Sequence, residues 1–226
     1  MKATIYSHKT IIGTVDLQVG DESMGCVYGE FLPNQNYYKD IQKFIWEFWD
    51  SKNLDYRKWN SLRFNARLEN EYFLFPHGGY TFDDISDLPD EPIRIDIMGI
   101  NIETLNFKND TILEPWESIT LEQKLAYEDE LLKEITPIKS VFNFKNKDHH
   151  ILLNSEISAF AKNGTNDDIL FEIKKNDIEN QFAIVHLTWT ENESLKSNNY
   201  PKTSFYFDFN EFIQKKMKSD NIEWNL

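Results

Sequence analysis

Short segments in which apolar and polar residues alternate restrict the fold of this chain more than any other feature. In residues 62–68, every second residue is apolar and the residues between them are polar or charged. A period of two predicts a β-strand with one buried face and one solvent-facing face, which is typical of antiparallel sheets. Segments with this pattern, or with a comparable apolar run of strand length, are 10–19, 24–32, 62–68, 93–98, 156–161, 168–173 and 182–190. Since residues 182–190 are apolar on both faces, we expect them to form an interior strand.

Helical spacing interrupts the strand pattern in both halves of the chain. Residues 36–51 place apolar side chains on one helical face, and Asn36 is a candidate N-cap; these side chains are Tyr37, Ile41, Phe44, Ile45 and Phe48. In the second half, Thr120 and Gln123 have the spacing of a capping box for a helix that runs to about Ile135. Pro137 is expected to end this helix. A last helix is expected to begin at Asp208.

Each half of the chain therefore has its own strands, helix and apolar residues. The Glu114-Pro115-Trp116 sequence interrupts the pattern between the halves. We predict an α+β fold with two small domains, 1–110 and 111–226. Each is expected to be a mainly antiparallel sheet packed with one or two helices.

Acidic residues outnumber basic ones throughout the chain. There are 38 Asp+Glu and 24 Lys+Arg, which give a net charge of −14. Residues 1–113 carry 18 acidic and 11 basic residues and 114–226 carry 20 and 13, so each part has a charge of −7. This charge disfavours binding to nucleic acid or to an anionic membrane, because both favour clustered Lys and Arg. It favours a basic protein partner, although high charge also serves solubility.

The compartment and the thiol chemistry are restricted as well. The single cysteine, Cys26, excludes an internal disulfide scaffold or a multi-thiolate metal site. The N-terminus lacks the long apolar core of a signal peptide. No segment approaches the roughly 18 consecutive apolar residues of a membrane span. We therefore expect a cytoplasmic protein without a membrane span.

Two pairs of adjacent acids are candidates for cation binding or acid–base chemistry. They are Asp83-Asp84 and Asp167-Asp168, and paired carboxylates can bind hard cations or divide acid and base roles. Their local sequences favour capping and turn roles, since Asp83-Asp84 precedes a short turn and Asp167-Asp168 follows the hairpin turn at 163–166. All four residues are also candidates for contact with a basic partner.

The histidines do not have metal-ligand spacing. They are His8, His77, His149, His150 and His186. We predict neither a metal nor a cofactor, because no His or Cys lies at a suitable interval. His186 shares a predicted strand face with Phe182 and Ile184, which is typical of a core histidine, while a catalytic role is the alternative.

Glu128 lies in the middle of the apolar stripe of the helix that begins at Thr120. A carboxylate on that face needs a partner if it is buried, and Lys174, Lys175 and His186 are the candidates. The alternative interpretation is that the stripe is open at this point and the Glu128 carboxylate lies in solvent. Glu128 and His186 together are the candidates for a small hydrolase-type enzyme.

Several tryptophans are not assigned to an apolar stripe. Trp46, Trp59 and Trp116 are candidates for anchoring a protein partner, because exposed tryptophan often carries binding energy. They are equally compatible with sealing the contact between the two halves.

The second half also resembles a known type of bacterial domain. The resemblance rests on Glu114-Pro115-Trp116-Glu117-Ser118, Glu128-Asp129-Glu130-Leu131, Asn166-Asp167-Asp168-Ile169-Leu170-Phe171, Val185-His186-Leu187-Thr188-Trp189 and Tyr200-Pro201-Lys202-Thr203. In the first half, Met24-Gly25, Gly29 and Pro33 resemble a recurrent bacterial domain. Two-domain bacterial proteins of this kind are similar to the immunity proteins of polymorphic-toxin systems.

The resemblance implies a cytoplasmic binding protein that neutralises a cognate toxin, and it carries no catalytic residues with it. A basic toxin would be steered towards the acidic inhibitor. We therefore expect a toxin-binding protein rather than an enzyme. The alternatives are the hydrolase-type enzyme and a non-catalytic scaffold or regulator.

Overall fold

The computed structural model describes residues 1–108, 111–136, 150–190 and 200–226. The chain divides into two compact units, Met1–Asn109 and Asp110–Leu226. Each unit contains an antiparallel sheet and a few helices, so the predicted α+β class is confirmed. Among the described residues, no helix is both long enough and apolar enough to span a membrane. The predicted helix end at Pro137 and the side chain of His149 lie outside the described residues.

Within residues 1–108, seven strands form the sheet of the first unit. They run in the order β5-β1-β2-β4-β7-β6, and β3 pairs with β4 beside this path. Every pairing in this described sheet is antiparallel. The strands are β1 Lys2–Ser7, β2 Thr10–Asp16, β3 Gln18–Asp21, β4 Cys26–Pro33, β5 Phe64–Leu68, β6 Gly79–Asp83 and β7 Arg94–Met98.

The helices of the first unit follow β4. A π-helical turn, Tyr37–Ile41, leads into α1, Gln42–Trp49; the others are α2, Tyr56–Asn60, and a 3-10 turn, Ile102–Asn106. The predicted stripe packs on the sheet core, with Tyr37, Ile41, Ile45 and Phe48 buried and Phe44 partly buried. Asn36 does not cap the helix as predicted. The side chain of Asn34 accepts the backbone N–H groups of Asn36 and Tyr37 at 2.9 and 3.3 Å instead.

In the described part of the second unit, five antiparallel strands run in the order β12-β11-β10-β9-β8. They are β8 Trp116–Ser118, β9 Glu156–Asn163, β10 Asp168–Lys174, β11 Phe182–His186 and β12 Lys202–Tyr206. The β9–β10 connection confirms the hairpin predicted at 163–166. The interior position predicted for β11 is also confirmed, because it lies between β10 and β12.

Helices pack on this second sheet. On one face, Leu131 and Ile135 of α3, Leu121–Ile135, meet Ile169, Phe171 and Ile173. Elsewhere in the unit, Phe182 of β11 contacts Phe209 of α4, with ring centroids 5.6 Å apart. The helical segments after β12 are α4, Phe209–Phe212, a π-helical turn, Ile213–Met217, and α5, Lys218–Trp224.

Two predicted strands are shorter in the structure because the backbone turns. The segment predicted at 10–19 breaks at Leu17, whose N–H donates to the carbonyl of Met1. The segment predicted at 182–190 ends at His186, and Trp189 has a φ of +52°, which is incompatible with an extended strand. Strands β1, β6, β8 and β12 were not predicted.

The predicted capping box of α3 is confirmed. The Thr120 hydroxyl accepts the N–H of Gln123 at 3.3 Å, and the Gln123 side chain accepts the N–H of Thr120 at 2.9 Å. These bonds satisfy N–H groups that a helix start would otherwise leave without partners.

Thr120→Ala is expected to lower the free energy of unfolding by about 1 kcal/mol, because it removes the capping oxygen. Urea unfolding followed by circular dichroism measures this loss. Thr120→Ser is the matched control, since serine keeps the hydroxyl and is expected to retain most of the stability. An equal loss in both variants would contradict the capping role.

Candidate functional site

Asp84 is a buried carboxylate that joins the start of α1 to the end of β6. Only 3% of the residue is exposed. Among the described side chains, it accepts the Tyr37 hydroxyl at 2.6 Å, the Trp46 indole N–H at 2.6 Å and the Gln42 amide at 3.2 Å. Burial and the bond to Asp84 raise the pKa of Tyr37, so that its hydroxyl stays a donor. Burying a carboxylate is costly unless donors of this kind surround it.

The two acids of the predicted pair at 83–84 therefore have different environments. Asp83 is exposed at the end of β6, while Asp84 is turned into the unit. The local sequence indicated that Asp84 caps a short turn. In the structure its carboxylate instead accepts the side-chain donors of Tyr37, Gln42 and Trp46. The structure thus gives Asp84 a structural role and leaves Asp83 exposed to solvent.

The loop after Asp84 is ordered by local hydrogen bonds. The N–H of Leu88 donates to the carbonyl of Ile85 at 3.1 Å, and the N–H of Glu91 donates to that of Leu88 at 3.2 Å. The hydroxyl of Ser86 lies 3.2 Å from a carboxylate oxygen of Asp50, just after α1. These bonds hold the loop against the end of the helix.

Trp49 adds an exposed aromatic side chain at the same place. Its indole N–H donates to the carbonyl of Phe82 at 2.9 Å, and its ring lies 5.2 Å from that of Phe48. Despite these contacts, 38% of Trp49 is exposed, and Ile85 and Leu88 of the loop are also exposed. We call this region the acidic surface; it comprises Trp49, Asp50, Asp83, Ile85, Asp87, Leu88, Asp90 and Glu91.

The three tryptophans predicted as partner anchors are not free surface residues. Trp59 is buried, with its ring 4.5 Å from that of Phe48, and Trp116 is buried with its indole donating to Asp220 at 2.8 Å. Trp46 is partly buried and bound to Asp84. The expectation that Trp59 and Trp116 could serve as exposed anchors is therefore corrected by their burial.

In the second unit, Asp168 and His186 form a cross-strand pair. They are register partners on β10 and β11, and Nδ1 of His186 lies 2.8 Å from a carboxylate oxygen of Asp168. The prediction of a core histidine is wrong, since 46% of the His186 side chain is exposed. The pair lies at the end of β11, where the strand leaves the sheet, so that the histidine ring reaches solvent.

Asp167 binds a tryptophan that the sequence did not single out. The Trp189 indole N–H donates to Asp167 at 3.1 Å. The positive φ of Trp189 is stabilised by Glu134, which accepts the N–H groups of Thr188 and Trp189 at 2.7 and 2.8 Å. The Trp189 ring packs against Tyr127 with centroids 6.0 Å apart. No local pattern reveals this cluster, because it forms only when the chain turns after β11.

Glu128 is buried and paired with a residue of its own helix. It forms an ion pair with Lys124, one turn earlier, and accepts the N–H of Ala159 at 3.1 Å. Lys124 was not among the predicted partners. Lys175 donates to the carbonyl of Ile151, and His186 is bound to Asp168. Lys174 is exposed.

Glu172 is a second buried acid that the sequence analysis did not select. Burial raises the pKa of its carboxyl to about 8, although the charge of Lys124 opposes the rise. At neutral pH this side chain is therefore mainly protonated. The available signal was its position within residues 169–173, where the other four residues are apolar.

His150 also has a structural role. Its Nδ1 accepts the N–H of Leu152 at 3.2 Å, which leaves Nε2 to donate to the carbonyl of Pro201 at 3.0 Å. Burial lowers the pKa of His150, which favours the neutral ring that these bonds require. The side chain connects two segments of the unit and is not available for proton transfer.

The described residues contain no group of three or more His, Cys, Asp or Glu side chains that could hold a metal ion.

A depression of about 530 Å³ lies on the outer face of the first sheet, beside Thr4, Tyr6 and Arg67. None of the residues predicted as site candidates lines it. Cys26 is a free, partly buried thiol in β4. The candidate residues are thus either buried in structural bonds or placed on exposed surface.

Comparison with protein-family models, with curated proteins and with solved structures finds no significant match for this chain.

The raised pKa of Glu172 makes the stability of the chain pH-dependent. Between its ordinary pKa of 4.5 and about 8, the folded state holds a proton that the unfolded state has released. The free energy of unfolding is therefore expected to fall as pH rises through this window, by more than about 1 kcal/mol.

Glu172→Gln is expected to remove this part of the pH dependence, because glutamine does not titrate. Urea unfolding of the full chain at pH 5 and pH 8 measures it. Glu179→Gln, at an exposed position, serves as the control and should keep the wild-type dependence. If Glu172→Gln lost as much stability over this window as the wild type, the buried titration would be refuted.

Proposed function

We propose that the chain is an acidic binding protein that neutralises a basic partner by direct contact. One observation carries the proposal: two of the candidate catalytic acids, Asp84 and Glu128, are bound within the chain, while other acidic side chains remain on exposed surface. Asp84 is held by Tyr37 and Trp46, and Glu128 is held by Lys124 and Ala159. The net charge of −14 is compatible with steering towards a positively charged protein.

The partner we propose is a bacterial toxin, and this step rests on the resemblance to immunity proteins. Toxins that act on nucleic acid need a positively charged cleft, which an acidic inhibitor can occupy. The protection would take place in the cytoplasm of the producing cell. A large toxin gene directly upstream of this gene is the expected arrangement.

A second candidate function is a hydrolase-type activity at Asp168 and His186. A carboxylate only accepts hydrogen bonds, so Nδ1 of His186 carries the proton and Nε2 is left for proton transfer. The 2.8 Å contact and the exposure of the ring favour this alternative. Glu128 does not contribute to it, because it is bound to Lys124 and Ala159.

Co-expression with the toxin encoded by the adjacent gene is expected to restore growth of cells that the toxin alone would kill. Binding of the purified chain to the inactivated toxin domain should weaken steeply between 50 and 500 mM salt, roughly the range over which screening becomes strong. Growth assays and calorimetry measure the two effects.

His186→Gln separates the two candidate functions. Protection by direct binding should survive this substitution, whereas protection that requires His186 chemistry should be lost. Failure of the wild-type chain to protect cells, or to bind the toxin domain, would refute the proposed neutralisation.

A further inference from the structure

We propose that the acidic surface of the first unit is the docking site for the basic protein partner. Lysine and arginine side chains of the partner would meet the carboxylates, and its apolar side chains would cover Trp49, Ile85 and Leu88. The inference rests on the proposed function for the existence of a protein partner, and it adds where that partner binds.

The charge of the loop is the first argument. Residues 83–91 contain five carboxylates and neither lysine nor arginine. The next base along the chain, Arg94, binds Asp96 with bonds of 2.9 and 2.7 Å and lies over the Tyr28 ring at 4.1 Å. The Nζ atom of Lys58 lies 3.5 Å from a carboxylate oxygen of Glu47. Both cations are bound to other acids, but Arg94 also lies opposite Asp83 in the β6–β7 register and partly balances its charge. The negative field that a positive partner would meet is therefore concentrated at Asp87, Asp90 and Glu91.

The apolar residues are the second argument. Trp49, Ile85 and Leu88 are 38%, 40% and 53% exposed. The neighbouring carboxylates are sufficient to keep this surface soluble, but solubility does not explain why apolar side chains are exposed among them. Tryptophan and aliphatic side chains at the centre of a patch with polar surroundings are typical of protein-binding surfaces. Together, the two kinds of residue fit a partner with basic and apolar side chains on one face.

The rigidity of the surface is the third argument. Asp84 anchors the start of the loop, backbone turns order it, and the Phe82 carbonyl fixes the Trp49 indole. A surface that is already ordered loses less conformational entropy when a partner binds. This arrangement favours tight binding without rearrangement of the loop.

Charge reversal tests the location. Asp87→Lys with Asp90→Lys is expected to weaken binding to the inactivated toxin domain from the adjacent gene by at least about tenfold, because steering and contact are both lost. Leu88→Ala is expected to weaken it several-fold. Glu22→Lys with Glu69→Lys is the matched control, with the same change in net charge in the same unit, and should cost less than about twofold. Calorimetry measures affinity, and thermal unfolding verifies that each variant is folded.

Equal weakening in the surface variant and the control would overturn the inference, because overall charge would then explain binding. Unchanged binding in the surface variant would overturn it too, while leaving the proposed function intact. Absence of binding by the wild-type chain would instead refute the proposed function.

A second measurement tests the location of the docking site without the toxin. Titration of the ¹⁵N-labelled full chain with an amphipathic lysine- and leucine-rich peptide is expected to shift the amide signals of α1 and residues 85–91. The shifts should disappear in the variant with Asp87→Lys and Asp90→Lys. Shifts that are spread evenly over the chain, or that lie mainly in the second unit, would overturn the inference.

Discussion

The hydrogen bonds to Asp84 are the interaction on which the first unit's surface depends. Its donors are 38 to 47 residues away in the sequence, on the π-helical turn and on α1. A buried carboxylate left without such donors would be strongly destabilising, so the helix and the end of β6 are held together. The phenol ring of Tyr37 also packs against Phe31, with centroids 5.1 Å apart. The same residue thus joins the apolar core to the polar anchor.

The second unit also holds a buried carboxylate, Asp220, through a tryptophan indole, and it buries other ionisable groups in two further ways. Lys124 and Glu128 neutralise each other within one helix, and Glu172 avoids its charge by remaining protonated. A buried ion pair is weak evidence for stability, since desolvation offsets much of the attraction. The N–H of Ala159 adds a hydrogen bond that also ties the pair to the sheet. The bond between Glu128 and Ala159 thus helps to hold α3 against β9.

Sequence periodicity predicts those parts of the fold in which local pattern and burial agree. The helix α3 was predicted with its capping box, and the hairpin between β9 and β10 was predicted from its turn residues. Strand β12 was missed because only Tyr206 is buried in it, so that no apolar alternation exists. Strand β8 was missed because it has three residues.

The candidate site was predictable only in part, because the contacts of its residues are made between segments that are distant in the sequence. The acid pairs are visible in the sequence, but the partners of Asp84 and Glu128 depend on tertiary packing. Whether Trp46 and Trp59 are exposed cannot be deduced from helical periodicity alone. Trp189 and Glu134 come together only through the turn after β11.

Hydrogen exchange of the Leu88 and Glu91 amides in the wild type and in Asp84→Asn tests most directly whether Asp84 holds the acidic surface. Asparagine replaces an acceptor oxygen with an amide that cannot accept, so exchange at both amides should be at least about tenfold faster, with amides in β10 unaffected. Equal exchange rates in the two proteins would contradict the anchoring role of Asp84.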